Sequence, residues 1–359
     1  MKTLTIEKLE IRPLNVELTD TFTISQGSVH TVQSLLVTTT LKDGIIGYGE
    51  ITPFPELAGE DREACIRKFN DISTDLLGKS LENIRYISHF LNEALPASPS
   101  VRCGIEISML DALTRALKIP LWSYFGGLNS EILQTDITIP ILSTERSLEL
   151  AEKWYKKGFR TLKMKVGIDH DREITLINEI NNRHKDLQFI IDANQAFGEN
   201  QALEFIRELM AKKCEIILFE QPLNRYDFVG MGRLKKMLNV PVAADESVFS
   251  TEDLKQVVQY KSADVVNLKI MKTGVFNALK IATTALSMGM DLMIGGMIET
   301  RLAMGCSVSI AMGYVPIKFI DLDTPILMAS DPFIGGYSYC GPDILSWENP
   351  GLGMLPIGE

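Results

Sequence analysis

Short apolar segments in the second half of the chain end in residues that can act as acids, bases or metal ligands. In chain order these residues are Lys163 and Lys165, Asp192, Glu220, Asp245, and Lys269. Positions i and i+2 of a strand face the same side, so the two lysines of the first segment are predicted to point together. The recurrence of such residues at segment ends favours one shared site.

The three acids form a set of hard oxygen ligands. No histidine or cysteine accompanies them, and such a set suits an octahedral Mg²⁺ that keeps positions open for substrate. Each acid alone could also be a helix N-cap, and each lysine a solvated strand end. Glu246, beside Asp245, is expected to face away from the site.

The lysines suggest proton transfer. Removing a proton from a carbon next to a carboxylate builds up negative charge, which a bound cation can offset. Lys165 is the predicted base, because Lys163 or the metal would favour its neutral form. Lys269 lies four strands further on and would approach the same carbon from the opposite side. Two opposed lysines permit inversion of a stereocentre.

The segments belong to a regular alternation of strands and amphipathic helices that begins near residue 130. Strand starts recur about every 27 residues, near Gln134, Thr161, Gln188, Glu215, Pro241, Asp264, Asp291 and Lys318. This alternation predicts an α/β fold with a parallel barrel, and an open doubly wound sheet is the alternative. In barrels of this kind, active sites lie at the carboxyl ends of the strands.

The first 125 residues have a different pattern, that of an α+β lobe. Residues 1 to about 55 alternate like a meander, with a polar loop predicted from Thr21 to Val32 between two strands. Helical spacing follows from about Gly59 to Leu95 and again from Val101 to Leu117.

Composition narrows the classes of partner. The 359 residues are 45% hydrophobic and 23% charged, with a net charge of −10 and no block of Lys and Arg, which argues against nucleic-acid and membrane partners. Five scattered cysteines without a Cys-x-x-Cys pair indicate reduced core thiols. The start of the chain does not read as a secretory signal, so a cytoplasmic location is expected.

Several motifs together resemble the muconate lactonizing enzyme subgroup of the enolase superfamily. They are Lys163-Met164-Lys165, Asp192-Ala193-Asn194-Gln195, Glu220-Gln221-Pro222, Asp245-Glu246-Ser247 and Asn267-Leu268-Lys269, with Gly47-Tyr48-Gly49-Glu50 in the first lobe. The resemblance implies an enolase-type (β/α)7β barrel, a modified TIM barrel, over residues 126–324. It also implies an α+β capping domain over residues 1–125, completed by the C-terminal tail 325–359.

The same resemblance assigns roles to the site residues. Asp192, Glu220 and Asp245 are the implied ligands of one Mg²⁺ per subunit, and Lys165 and Lys269 are the implied acid/base pair. Lys163 would help to bind the substrate carboxylate, and Thr138 on the first strand is a further candidate for the substrate site. Barrels of this family often assemble, so a homo-oligomer is compatible with the resemblance.

The last strand carries Asp321-Leu322-Asp323, two carboxylates on one strand face. This pair suits a cationic substrate end, and it resembles the dipeptide epimerase motif that holds a free α-ammonium group. A charged loop over the cavity is the structural alternative. The resemblance therefore implies a small-molecule dipeptide substrate and conversion of an L,L-dipeptide to the L,D form. Cycloisomerase, o-succinylbenzoate synthase and a non-catalytic ligand-binding barrel are the other hypotheses.

The first capping loop bears on the choice of dipeptide. Members of the family that act on Ala-Glu are expected to have an arginine there, whereas Thr21 to Val32 contains neither Arg nor Lys. The neighbouring candidates are apolar: Phe22, Ile24, Phe54, Met297 and Ile298. We expect a hydrophobic or neutral second residue, with an L-Ala-D/L-Glu epimerase as the alternative. Each of these residues could instead be core packing.

Overall fold

The computed structural model describes residues 3–25, 27–55 and 59–358. The chain opens with a three-stranded antiparallel sheet in the order β1-β2-β3. Its strands are β1 Ile6–Ile24, β2 Gly27–Leu41 and β3 Ile46–Ile51. The sheet packs on the helices that follow it, and its buried face includes Leu35, Val37 and Ile51.

The predicted polar loop from Thr21 to Val32 is wrong, because most of this segment is a β-hairpin. Phe22 is paired with Val29 and Thr23 with Ser28, so the long strands β1 and β2 run almost to the tip. A two-stranded ribbon is held by its backbone hydrogen bonds, and its exposed face can carry threonine and serine. The polar composition of this segment therefore led to the prediction of a loop where the structure has strands.

Four helices complete the first lobe: α1 Arg62–Leu76, α2 Ile84–Ala94, α3 Pro99–Leu117 and α4 Leu121–Phe125, with a short 3₁₀ turn at Leu81–Asn83. Helix α3 is buried over nearly its whole length. It lies directly against β3, where a Cβ atom at Gly49 would be 2.1 Å from the carbonyl oxygen of Gly104. Only glycine permits this approach of two backbones.

Eight parallel strands form the second lobe in sequential order. They are β5 Ile137–Ile139, β6 Thr161–Lys165, β7 Gln188–Asp192, β8 Glu215–Glu220, β9 Val242–Ala244, β10 Val265–Leu268, β11 Asp291–Ile294 and β12 Phe319–Ile320. The amide of Asp136 donates to the carbonyl of Ile320 at 3.0 Å and joins the two ends of the sheet. Apolar side chains fill the interior, among them Ile190, Leu218 and Met293.

The start of the first barrel strand differs from the prediction. Gln134 belongs to a separate strand, β4 Ile132–Gln134, where it pairs with Asp343 of the C-terminal tail. The barrel strand β5 begins at Ile137. Thr135 and Asp136 lie between the two strands, and a single period of alternation could not separate them.

Seven crossovers connect the eight strands, as the (β/α)7β prediction required. Their helices are α5 Thr144–Lys156, α6 His170–Arg183, α7 Glu199–Ala211, α8 Phe228–Met237, α9 Thr251–Tyr260, α10 Ile270–Thr273 with α11 Val275–Ser287, and α12 Arg301–Gly313. Local capping fixes where several helices begin. The Ser143 side chain accepts from Arg146 N, and the Ser250 side chain accepts from Asp253 N.

The C-terminal tail returns to the first lobe. It contains a 3₁₀ turn at Thr324–Leu327 and the strands β13 Phe333–Gly335, β14 Ser338–Cys340, β15 Asp343–Leu345 and β16 Met354–Pro356. Leu121 N donates to Gly351 O at 2.8 Å, and Trp122 Nε1 donates to Trp347 O at 2.8 Å. These contacts support the division into residues 1–125 with 325–359 and residues 126–324, which stays a prediction.

Four of the five cysteines are buried free thiols, as expected, but Cys340 is exposed on the tail. Within the described residues, no helix combines the length and the hydropathy needed to cross a bilayer.

Candidate active site

A cavity lies at the carboxyl ends of the barrel strands, beneath the hairpin of β1 and β2. Among the residues that line it are most of the predicted site residues: Phe22, Ile24, Thr138, Lys163, Lys165, Asp245, Lys269, Met297, Ile298 and Asp321. Three other predicted residues, Asp192, Glu220 and Asp323, are fully buried next to it. The hairpin is tied down at its tip, where the Ser25 hydroxyl lies 3.3 Å from the carbonyl oxygens of Ala193 and Asn194.

Lys163 stands at the centre of the anionic groups. Its Nζ lies 2.6 Å from Asp321 Oδ2, 2.8 Å from Glu220 Oε2 and 3.1 Å from Asp192 Oδ2. Burial alone would lower the pKa of Lys163, but these carboxylates outweigh burial and raise it. Lys163 is therefore positively charged in this arrangement.

Lys165 extends from the end of β6 toward the end of β7. Its Nζ lies 2.6 Å from Asp192 Oδ2 and 3.2 Å from Asn194 Oδ1. Burial would raise the pKa of Asp192, but the ammonium groups of Lys165 and Lys163 reverse that effect and lower it to about 2. Asp192 is therefore a carboxylate over the whole physiological range.

Lys269 occupies the opposite side of the barrel mouth, since β10 is four strands from β6 in a ring of eight. Its Nζ lies 2.6 Å from Asp245 Oδ2, and Lys272 Nζ lies 2.6 Å from Asp245 Oδ1. Despite burial, these two lysines hold the pKa of Asp245 well below its usual range. Lys165 and Lys269, which line the cavity together with Lys163, thus face a common space from opposite walls.

Glu246 does not face away from the site, and that expectation was wrong. It is buried, it lines the cavity, and its Oε1 accepts a hydrogen bond from Asn194 Nδ2 at 3.2 Å. Strand β9 ends at Ala244, so the alternation of a strand no longer decides where position 246 points. Burial and the charge of Asp245 raise the pKa of Glu246 to about 8.

A glutamine amide organises the loops that carry the acids. Gln221 Oε1 accepts from the backbone amides of Asp245 at 2.9 Å and Ser247 at 3.1 Å, while its Nε2 donates to Leu223 O and Ser247 Oγ. Gln221 has a φ of 36° and Asn194 a φ of 41°, which are unusual for residues with a side chain. The surrounding hydrogen bonds hold this backbone in place.

The predicted Mg²⁺ ligands provide a suitable set of donors. Asp192, Glu220 and Asp245 follow one another on β7, β8 and the end of β9, and all are buried. Asn267 Nδ2 orients Glu220 by donating to its Oε1 at 2.7 Å. In this arrangement lysine ammonium groups lie against the carboxylates, so the site already attracts positive charge. The chemistry of the donor set fits a hard divalent cation.

The closest grouping of acidic oxygens lies elsewhere in the barrel. Asp136, Asp321 and Asp323 each place one oxygen within 4.8 Å of the others, the only such group of three among the described residues. Asp323 Oδ2 accepts from Thr138 N at 2.6 Å. Burial and the charge of Asp321 raise the pKa of Asp323 to about 7. One wall of the cavity is therefore suited to a cationic group.

Comparisons with known proteins agree with this geometry. Residues 7–126 match the N-terminal domain of mandelate racemase and muconate lactonizing enzyme. Residues 146–356 match the enolase C-terminal domain-like family. The chain belongs to the mandelate racemase/muconate lactonizing enzyme family. The resemblance inferred from the motifs is confirmed, and so is the barrel with its capping lobe.

Members of this family similar to the chain act on dipeptides by name. An L-Ala-D/L-amino acid epimerase of Populus trichocarpa is 40% identical over 342 residues, covering 94% of this chain and 81% of that protein. An aromatic dipeptide epimerase of Herpetosiphon aurantiacus is 35% identical over 98% of both chains. A dipeptide epimerase of Enterococcus faecalis, solved with Mg and L-Leu-L-Tyr, is 29% identical with a TM-score of 0.93, covering 98% of this chain and 99% of that one.

Some site residues of this family member escaped the sequence analysis. Lys272 follows Lys269 by one helical turn and could have been found by that spacing. Asp136 lies just before β5, two positions from Thr138, and the sequence did not single it out because it lies between two strands. Asn194 was named only as part of a motif and received no role, because its contacts depend on a turn that periodicity cannot describe.

Proposed function

We propose that this protein is a Mg²⁺-dependent dipeptide epimerase that inverts the α-carbon of the C-terminal residue of L,L-dipeptides. The observation that carries the proposal is the division of the cavity. Asp321 lines one wall of the cavity with Asp323 buried behind it, and these two acids form an anionic wall, while Lys165 and Lys269 face each other across the remaining space. A substrate with an ammonium group at one end and an acidic carbon at the other fits this division.

The charged residues divide the work of binding and proton transfer. Asp321 and Asp323 hold the α-ammonium of the dipeptide, and Lys163 attracts its carboxylate. Asp192, Glu220 and Asp245 would hold the cation. A bound Mg²⁺ supplies positive charge that offsets the negative charge on the carboxylate as the α-proton leaves.

The two lysines account for inversion. One lysine, as the free amine, takes the α-proton from its face of the carbon, and the other, as the ammonium, returns a proton to the opposite face. Lys165 Nζ lies 2.6 Å from Asp192 Oδ2 and Lys269 Nζ lies 2.6 Å from Asp245 Oδ2, so a carboxylate holds each lysine in place. Exchanging these protonation states lets the same pair work in either direction.

The cavity favours dipeptides with a hydrophobic or neutral second residue. Phe22, Ile24 and Phe54 line its cap side, and Met297 and Ile298 line the opposite loop. The hairpin segment from Thr21 to Val32 contains no arginine or lysine that could pair with a glutamate side chain. L-Ala-D/L-Glu epimerase activity is therefore the second choice. The cytoplasmic location and the homo-oligomer stay predictions.

Solvent exchange tests the proposal. The protein is incubated in D₂O with Mg²⁺ and a pooled library of L,L-dipeptides, the N–H deuterons are exchanged back in H₂O, and mass spectrometry follows the α-carbon. We expect a gain of one mass unit in particular dipeptides, together with L,D products on chiral chromatography. The dipeptides that react define the specificity.

Two variants make the result specific. Lys165→Ala should abolish epimerisation, whereas Lys236→Ala, which removes an exposed lysine on α8, should behave like the unmodified protein. No exchange in any dipeptide by the folded protein with Mg²⁺ would refute the proposal. Turnover of a substrate without an amine would then favour a cycloisomerase or an o-succinylbenzoate synthase, and the absence of any turnover a ligand-binding barrel.

A further inference from the structure

Asp136 is a buried carboxyl group with no role in the site described so far. It lies just before β5 and is 3% exposed. One of its oxygens lies within 4.8 Å of an oxygen of Asp321 and of Asp323. Within the described part of the chain, no hydrogen-bond donor reaches either oxygen of Asp136. An unpartnered, buried carboxyl group therefore lies beside the two acids of the anionic wall, of which Asp321 lines the cavity.

The other two acids have partners that stabilise a negative charge. Asp321 Oδ2 lies 2.6 Å from the ammonium group of Lys163, and Asp323 Oδ2 accepts the amide of Thr138. Asp136 has neither a cation nor an amide of its own. An ionised carboxylate there would be buried beside two like charges, which is energetically unfavourable. Of the three acids, Asp136 is the one that should carry a proton.

We propose that Asp136 is a neutral carboxylic acid that donates its O–H to Asp321 and positions Asp321 for the substrate ammonium. This inference rests on the proposed function, because it assigns Asp136 to the ammonium site of that reaction. Asp136 is a positioning residue, since it acts on the substrate through Asp321.

The backbone and the charge balance support this role. The hydrogen bond from Asp136 N to Ile320 O fixes Asp136 beside the residue that precedes Asp321. With a proton on Asp136, Asp321 and Asp323 are the two negative charges of the group, and Lys163, which Asp321 shares with Glu220 and Asp192, leaves room for a substrate ammonium. Burial and the charges of Asp321 and Asp323 raise the pKa of Asp136 well above its usual range, and Lys163 only partly opposes them.

Two substitutions at position 136 test whether the hydrogen bond donated to Asp321 is what matters. Asp136→Asn keeps the shape and offers an N–H donor to Asp321, whereas Asp136→Ala removes the donor. The ligands are L-Ala-L-Phe and N-propionyl-L-phenylalanine, which differ only in the amine. Their binding to the full chain is measured by calorimetry with Mg²⁺. Binding of Mg²⁺ alone and the melting temperature check that each variant is folded.

We expect Asp136→Asn to bind L-Ala-L-Phe within about threefold of the unmodified protein. Asp136→Ala should bind it about tenfold or more weakly, because a hydrogen bond to a charged group is lost. Neither variant should change the binding of N-propionyl-L-phenylalanine. If Asp136 had only a structural role, its replacement would instead weaken the binding of both ligands equally.

The possible results distinguish a failure of the role of Asp136 from a failure of the proposed function. If Asp136→Asn binds L-Ala-L-Phe as weakly as Asp136→Ala does, the inference about Asp136 is wrong. It is also wrong if the substitutions weaken the binding of both ligands equally. If the unmodified protein prefers the amine but Asp136→Ala keeps that preference, the inference also fails and the proposed function stands. If the unmodified protein binds L-Ala-L-Phe no more tightly than N-propionyl-L-phenylalanine, the ammonium site of the proposed function is refuted.

Discussion

Glu299 should make the protein less stable as the pH rises, and Glu299→Gln should remove that loss. Glu299 is fully buried behind the cavity loop, where its Oε1 accepts the amide of Met297 at 2.8 Å. Its Oε2 has no hydrogen-bond partner among the described residues. Burial raises the pKa of Glu299 to about 8, the Met297 amide opposes this shift, and the charge of Glu50 adds to it.

The sign and size of the effect follow from proton linkage. Between pH 4.5 and pH 8 the folded state keeps a proton that the unfolded chain has lost. The contribution of Glu299 to stability is therefore complete below pH 4.5 and is lost as the pH rises through 8. Each pH unit in this window lowers the free energy of unfolding by about 1.4 kcal/mol, or roughly 2.5 kcal/mol between pH 5 and pH 7.

Thermal denaturation at several pH values measures this difference. The advantage of Glu299→Gln in melting temperature should grow by up to roughly 5 °C from pH 5 to pH 7, at about 2 °C per kcal/mol. Glu204→Gln, which changes an exposed residue of α7, should follow the unmodified protein at every pH. A constant difference between Glu299→Gln and the unmodified protein from pH 5 to pH 8 would refute the reasoning.

Three further outcomes are expected. Lys165→Ala and Lys269→Ala should each slow epimerisation at least about 100-fold. In D₂O each variant should still deuterate the α-carbon of only one of the two epimers. Equal exchange of both epimers by both variants would contradict the two-lysine mechanism. Removing Mg²⁺ with EDTA should stop exchange without unfolding the protein, as circular dichroism would show, and added Mg²⁺ should restore it; exchange that survives chelation would exclude the metal. Gly49→Ala should lower the free energy of unfolding by about 1–3 kcal/mol or more, because its Cβ would meet the Gly104 carbonyl, whereas Gly27→Ala enters open space and should leave stability unchanged.

The catalytic face was predictable because the physics of a buried parallel strand is simple. Such a strand is apolar, so Asp192 and Glu220 at the ends of β7 and β8 stood out at once. The alternation rule also brought Lys163 and Lys165 to one side. Register between neighbouring strands then places Lys165 opposite Asp192 and Asp192 opposite Glu220.

The rest of the site depends on residues beyond the strand ends, where no period applies. Glu246 was assigned to the wrong side because the chain turns after Ala244. Asp136 was missed because it lies between two strands that belong to different sheets. The hairpin around Thr23 was taken for a loop because its polar residues face outward. In each case tertiary contacts, and not local pattern, decide the direction of the side chain.

The hairpin of β1 and β2 has an evolutionary consequence. It brings Phe22 and Ile24 from the first lobe to a cavity whose lysines and acids come from the second, and it touches the barrel near Ala193 through Ser25. A substitution at its tip can alter which substrate side chain fits without disturbing the residues that move protons. Selection can thus change the substrate specificity of such an enzyme through single substitutions in the hairpin, while the residues that transfer the proton stay the same.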